Sequence, residues 1–293
     1  GMMELRRTML FIPGSNPAML QNGGVFGADS VILDLEDAVA PNEKDAARQL
    51  VAHALRTCDY GESEKIVRIN PLDTYGVEDI KAIVPCRPAA LLVPKVESAD
   101  DIRNAARLIA EAEPADFEVK IVALLETPKG IAEAYNIAGA DKRLVALSLG
   151  AEDYTAALGS KRTKEGNEIY AARMAVINAA AAAGIQSIDT PFTDANDEEG
   201  LLKDTAFAKA VGFKGKLSIN PRQVDAIHSV FNPTEDDITW ARKVLAAIKK
   251  AKAEGSGVAS LNGKMVDLPV VNRAKTTLQL AAKLGMAEED LEA

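Results

Sequence analysis

The sequence predicts an α/β fold: a (β/α)8 TIM barrel with a C-terminal helical extension. Eight short, β-rich apolar runs alternate with amphipathic segments along the chain, and that many alternations fit a barrel of the usual size of roughly 250 residues. A doubly wound open sheet would normally announce its ligand loop with a GxGxxG turn, and "PGSNPAML" (Pro13 to Leu20) is not that pattern. Beyond the eighth run the chain continues from Pro221 to Ala293, which is surplus to a barrel.

The strands are expected at "TMLFIPG" (Thr8 to Gly14), "SVILDLED" (Ser30 to Asp37), "KIVRIN" (Lys65 to Asn70) and "ALLVPKVE" (Ala90 to Glu97). Four more follow at "KIVALLET" (Lys120 to Thr127), "LVALSLGAED" (Leu144 to Asp153), "SIDTPF" (Ser187 to Phe192) and "GKLSIN" (Gly215 to Asn220). Near-continuous Val, Ile and Leu is what a parallel strand covered on both faces requires. Helical spacing marks Asn42 to Thr57, Ser98 to Ala112, Ile169 to Ala183 and Asp197 to Val211, several of them opened by Ser, Asp or Asn caps. The third, "IYAARMAVINAAAAAG", reads as a close-packed barrel helix with Arg173 on its solvated or loop-facing side. The barrel is expected to span residues 5–232 and the extension 233–293, with a helix from Thr234 to Lys252, the link "AEGSGVASLNGKMVD", and a last helix from near Val270. Such an extension would cap the barrel, cover its mouth or reach a neighbouring subunit. Gly1 ahead of Met2 reads as a cleavage remnant.

A net charge of −9 without a dense Lys/Arg run argues against nucleic acid or an acidic membrane surface, because phosphate contacts need clustered cations. A small molecule is the better partner. Cys58 and Cys86 have no CxxC spacing and follow no secretory signal, so they are expected to be reduced thiols in a cytoplasmic protein. No apolar run approaches the roughly 20 residues of a membrane helix. His53 and His228 fall on expected helices and are given no catalytic or metal role.

Catalytic groups of a barrel sit at the C-terminal ends of its strands, and polar residues collect there: Glu36 and Asp37, Arg68 and Asn70, Lys95, Glu126, then Glu152 and Asp153. By the two-residue period of a strand, Ile32, Asp34 and Glu36 share one face, as do Ile66 and Arg68, and Val122, Leu124 and Glu126. Carboxylates gathered without histidine suit a hard divalent cation, and Mg²⁺ typically takes only one or two protein carboxylates, with water and substrate oxygens completing its shell. Glu126 and Asp153 are the expected metal pair, Glu126 facing substrate as well; Glu36 and Asp37 would hold metal-bound waters. A divalent charge would also relieve the repulsion among these acids. Arg68 offers a planar fork for a carboxylate, implying an anionic substrate, and a metal and an arginine facing one small cavity suggest a 2-oxo or 2-hydroxy acid.

The motifs "RRTMLFIPGSNPAML", "DLEDAVAPNEKDAAR", "VRINP", "PKVES", "LLETPKGI", "GAEDYTAALG" and "LNGKMVDLPVVNRA" resemble the citrate lyase β-subunit (CitE-like) branch of the HpcH/HpaI aldolase family, from about Arg6 to Leu280. The resemblance implies a Mg²⁺-dependent lyase that splits a citryl, citramalyl or malyl thioester into an oxo acid and an acetyl thioester. It places the metal ligands on Glu126 and Asp153 and the carboxylate-binding arginine on Arg68. It assigns Asp267, from "GKMVD", as a catalytic acid/base reaching the site of an adjacent subunit in a homotrimer or hexamer. Glu36 or Asp37 would take the hydroxyl proton. CoA-binding relatives carry basic residues after "PGS", where this chain has Ala18 and Asn22. Arg6, Arg7 and Lys44 are the cations expected to compensate, with CoA or an acyl carrier protein bearing the thioester. The alternatives are a malyl-type thioester hydrolase, a pyruvate-type aldolase, and a non-catalytic subunit of a lyase assembly.

Overall fold

The computed structural model describes residues 4–287, so Gly1 and Met2 and the end of the expected extension, 288–293, lie outside the described residues. Two compact units divide the chain: Arg6–Phe231, and Asn232 onward together with the N-terminal residues before Arg6.

The first unit is a closed barrel of eight parallel strands in sequence order. They are β1 (Thr8–Pro13), β2 (Ser30–Asp34), β3 (Glu64–Arg68), β4 (Ala90–Val93), β5 (Lys120–Leu125), β6 (Leu144–Leu149), β7 (Gln186–Asp189) and β8 (Gly215–Ser218). β8 returns to pair with β1, Thr8 opposite Lys216 and Leu10 opposite Ser218, and this closure rules out the open sheet. Around it run α1 (Pro17–Asn22), α2 (Lys44–Thr57), α3 (Val77–Ile83), α4 (Ala99–Ala112), α5 (Pro128–Ala132), α6 (Ala134–Ala138), α7 (Ala151–Leu158), α8 (Tyr170–Ala183), α9 (Glu198–Val211) and α10 (Val224–Phe231).

Local chemistry sets the helix ends. Ser98 accepts the amide of Asp101 to open α4, and Asp197 accepts that of Gly200 to open α9. Gly159 and Gly184 end α7 and α8 in the left-handed region, where a side chain would be strained.

Alternate side chains of the strands fill two layers. Met9, Ile32, Ile66, Ala90, Leu92, Val122, Leu124, Ala146, Ile188 and Leu217 pack inside the barrel. Their neighbours, such as Leu10, Leu33, Val67 and Leu125, pack outward with the helices. The strands stop two to four residues before the polar ends expected of them, because those polar groups leave the ladder to serve the loops. Glu36, Asp37, Lys95 and Glu126 therefore stand just past their strands, and Asp153 lies in the first turn of α7.

Arg173 is not on a solvated side. It is 1% exposed, between α8 and the sheet, paired with Asp189 and Asp204. The compensating acids sit on a strand and another helix, so the helical period of its own segment gave no hint of them.

The second unit holds α11 (Glu235–Ala253), a hairpin of β9 (Ala259–Leu261) and β10 (Lys264–Val266), and α12 (Leu268–Lys283). Thr234 and Asp237 form a reciprocal capping box at α11. Val244, Leu245, Val271 and Leu278 lie in its own apolar core. Among the described residues, no helix is long and apolar enough to cross a membrane, and Cys58 and Cys86 are free thiols.

Candidate active site

At the C-terminal end of the barrel a cavity of about 600 Å³ opens among the strand-end loops. Arg68, Asp34, Asp37, Glu126, Glu152 and Asp153 line it, together with Phe11, Gly150 and Thr190. Residues far apart in the chain meet there because every strand of a parallel barrel delivers its last side chain to the same end.

Arg68 arrives on β3 and is 8% exposed. Its Nε donates to Asp34 Oδ1 at 2.8 Å and its Nη2 to Asp34 Oδ2 at 2.6 Å, so one edge of the fork is committed within the protein. Nη1 lies 3.4 Å from Glu36 Oε1, and the guanidinium stacks 4.7 Å from the centre of the Phe11 ring. The remaining N–H groups of Nη1 and Nη2 are the edge left for a ligand carboxylate. Asp34 also accepts the amides of Glu36 and Ala38, so the residue that aims Arg68 also turns the chain after β2. Its position among the shared-face residues was visible in the sequence; its positioning role was not.

Glu126 follows β5 and is 4% exposed. Its Oε2 accepts the backbone amide of Lys95 at 2.9 Å. Burial, and then the negative charge of Glu36, push its pKa up to about 8, with Asp153 adding a smaller push. Gly150 makes room for it, since a Cβ there would stand 2.7 Å from Glu126 Cγ. Asp153 is exposed on the cavity wall.

Glu36 is buried and accepts from Lys95 Nζ at 2.6 Å, while its Oε1 has no hydrogen-bond partner. Burial raises its pKa against the opposing pull of Lys95 and Arg68. Lys95 serves two carboxylates, amide to Glu126 and ammonium to Glu36, and does so with φ at +52°, a left-handed conformation uncommon outside glycine. Burial is the largest single influence and pulls its ammonium down, but the hydrogen bond and charge of Glu36, with the charges of Glu126 and Asp37, together hold its pKa above the ordinary value. Asp37 is exposed at the cavity rim. No feature of "PKVES" told the backbone turn of Lys95 from a strand end.

These groups fit a hard cation. Among the described residues no three acidic or soft side chains are grouped to hold a metal alone, so an ion here would rest on two carboxylates and complete its shell with water and ligand oxygens. A buried carboxyl forced toward neutrality and an orphaned carboxylate oxygen are what a nearby divalent charge would relieve.

The three expected carrier-binding cations are placed otherwise. Arg6 and Arg7 precede β1 and stand at the N-terminal rim, the opposite end from the cavity. Arg6 donates to Glu64, at the start of β3, at 2.9 and 2.7 Å, and to Gln186, at the start of β7, at 2.7 Å. Arg7 pairs with Asp29, just before β2, at 2.8 Å. Both close the barrel floor. Lys44 is on the cavity side, but it is 8% exposed and its ammonium donates to the carbonyls of Leu35 at 3.0 Å and Glu36 at 2.6 Å. Burial lowers its pKa although Asp34 and Glu36 oppose the shift. It braces the loop after β2 and does not offer a cation to a phosphate. Asp267 belongs to the second unit, exposed at the start of α12, where it accepts the amide of Val270 at 3.2 Å.

Comparisons with known proteins identify the relatives of this chain. The family model of HpcH/HpaI aldolase/citrate lyase matches residues 7–221. The citrate lyase subunit beta of Haemophilus influenzae is 47% identical over 98% of this chain and 100% of its own length. The (3S)-malyl-CoA thioesterase of Cereibacter sphaeroides is 35% identical over 94% of each chain. The crystal structure of the protein CitE from Mycobacterium tuberculosis, in complex with magnesium, acetoacetate and coenzyme A, superposes with a TM-score of 0.78 at 32% identity, covering 95% of this chain and 98% of that one. With a closed eight-stranded barrel, a cavity walled by acids and one arginine, and this degree of likeness along the chain, the protein belongs to the HpcH/HpaI aldolase/citrate lyase family.

Proposed function

We propose that this chain is a Mg²⁺-dependent carbon–carbon lyase that cleaves a 3-hydroxy-acyl thioester of the citryl, citramalyl or malyl type into an oxo acid and an acetyl thioester. The observation that carries this reading is that Glu126, Asp153 and Arg68 line one cavity at the C-terminal end of the barrel.

Glu126 and Asp153 would hold the ion, and Glu36 and Asp37 the waters around it. Mg²⁺, when bound, supplies Lewis acidity that lowers the pKa of the substrate hydroxyl and favours the developing oxo-acid carbonyl. Arg68, its inner edge fixed by Asp34, grips the substrate carboxylate with its outer edge and sets the 3-hydroxyl against the acids. Glu36 or Asp37 accepts the hydroxyl proton through a water. The bond between the carbinol carbon and the methylene then breaks, and its electron pair passes to the thioester as an enolate. Asp267 of a second copy is the proposed donor of the proton that turns this enolate into the acetyl thioester, so atoms and charge balance over the reaction. A homotrimer or hexamer, or an assembly with other citrate-lyase-type subunits, would supply that second copy. The carrier is CoA or an acyl carrier protein. Since Arg6, Arg7 and Lys44 are engaged elsewhere, cations other than these would have to meet a CoA phosphate.

A thioester panel assayed with and without Mg²⁺, with products identified by mass spectrometry, tests the reading. Acetyl thioester plus oxo acid is the expected result. Free thiol plus intact hydroxy acid would mean hydrolysis instead, the chemistry named for the Cereibacter sphaeroides relative.

A further inference from the structure

The helix that carries Asp153 does not cap itself. Gly150 occupies the N-cap of α7 and has no side chain to accept from the first turn, whose amides have no partner within the helix. A Ser, Thr, Asp or Asn there, the ordinary remedy, is blocked because Glu126 fills the space. The missing acceptor comes from another strand: the amide of Ala151 donates to Thr190 Oγ1 at 3.0 Å. Thr190 follows Asp189 at the end of β7 and is 0% exposed.

Thr190 is itself held by charge. Lys216 Nζ donates to the Thr190 carbonyl at 2.7 Å, to Asp189 Oδ2 at 2.7 Å and to Asp204 Oδ2 at 2.7 Å. Arg173 joins the same two acids, with contacts of 2.9 Å to Asp189 and 2.8 Å to Asp204. The alternation along β7 explains the layout. Ile188 lies inside the barrel, Asp189 turns outward to the helix layer, and Thr190 turns back to line the cavity. Two cations and two anions balance, yet burying such a quartet gives weak stability compared with apolar packing of the same volume. It does hold the Lys216 ammonium between three acceptors, one of which is the Thr190 carbonyl.

We propose that Thr190, clamped by Lys216 and its partners Arg173, Asp189 and Asp204, is a positioning residue that caps α7 in trans and so sets where Asp153 stands opposite Glu126. This rests on the reading of Asp153 as a metal ligand.

The test compares Thr190→Val, which keeps the shape and loses the acceptor, with Thr190→Ser, which keeps it. In the metal-free protein, amide hydrogen exchange at Ala151 to Tyr154 is expected to quicken at least about tenfold in the Val variant and to stay at the wild-type rate in the Ser variant, with the melting temperature of both close to wild type. By calorimetry, the Mg²⁺ dissociation constant is expected to rise about 10–100-fold for Val and little for Ser, as for other losses of a group supporting a metal ligand. Wild-type exchange in the Val variant would overturn the proposal, and so would faster exchange with Mg²⁺ affinity unchanged. A wild-type protein that takes up no Mg²⁺ would instead remove the lyase reading, and the exchange comparison would still decide whether Thr190 caps α7. Lys216→Met would strand two buried carboxylates and can fail to fold, so the Thr190 pair decides the matter.

Discussion

Glu126 is a carboxyl group kept where a lone carboxylate is disfavoured, buried and facing Glu36. Replacing it with Gln keeps the shape and the acceptance from the Lys95 amide, and removes the carboxyl that could ionise to meet a cation. We expect Glu126→Gln to fold normally while Mg²⁺ affinity and turnover fall by more than about 100-fold, beyond what loss of an outer partner costs; calorimetry and steady-state kinetics check this. Asp34 is the complementary case. Asp34→Asn leaves Arg68 buried beside a neutral amide, and breaking such a pair typically costs about 3–5 kcal/mol, so a lower denaturation midpoint and a raised KM for the oxo acid in the reverse reaction are expected together. Arg68, Glu126 and Asp153 were readable as neighbours because strand alternation and the barrel rule convert positions in the chain into a face and an end. The partners of Arg6, Arg7 and Lys44 were not legible because residue type reports a charge and not what meets it: Glu64, Asp29 and the Glu36 carbonyl are distant or unmarked in the sequence.

The elements convert these side chains into a geometry. The carboxyl of Glu126 against Gly150 makes the N-terminus of α7 a place for which no other residue is small enough. Gly150→Ala should therefore push Glu126 or α7 aside, costing about 1–3 kcal/mol as overpacking does, and weaken Mg²⁺ binding; thermal melting and calorimetry would register both. β1 is secured at its other end by α10, where His228 Nε2 lies 2.7 Å from Thr8 Oγ1. Burial first, and then Arg7, hold the His228 pKa below 6.5, against the opposing pull of Asp29 and Asp225. A depressed folded value means the folded state binds fewer protons than the unfolded chain, so the contribution is present above about pH 6.5 and is lost as pH falls through the lower folded value. Denaturant midpoints should fall more between about pH 7.5 and 5 for wild type than for His228→Gln, which cannot titrate there. Element identities were legible from period and capping residues, as at Ser98 and Asp197. Strand ends were not, because "LED", "VES" and "AED" remain compatible with extended chain until their partners in other loops are known.

The whole molecule comprises a large barrel unit and a much smaller C-terminal one, each with its own apolar core. A helical unit of that size rarely holds more than about 3–5 kcal/mol by its own core. If Asp267 works in the site of a second copy, assembly must stabilise the smaller unit, and its melting should move upward with protein concentration while that of the barrel stays put. Calorimetry at two concentrations would show this, and a concentration-independent profile would count against the shared site. The barrel as a whole was legible because eight repeats of one pattern reinforce each other, whereas the buried quartet of Arg173, Asp189, Asp204 and Lys216 was not, each member being an unremarkable surface type in its own segment. Borrowing the cap of α7 from β7 has an evolutionary consequence. A screen for suppressors of Thr190→Val should recover none at position 150, since a side chain there meets Glu126, and should instead return changes that restore an acceptor at position 190.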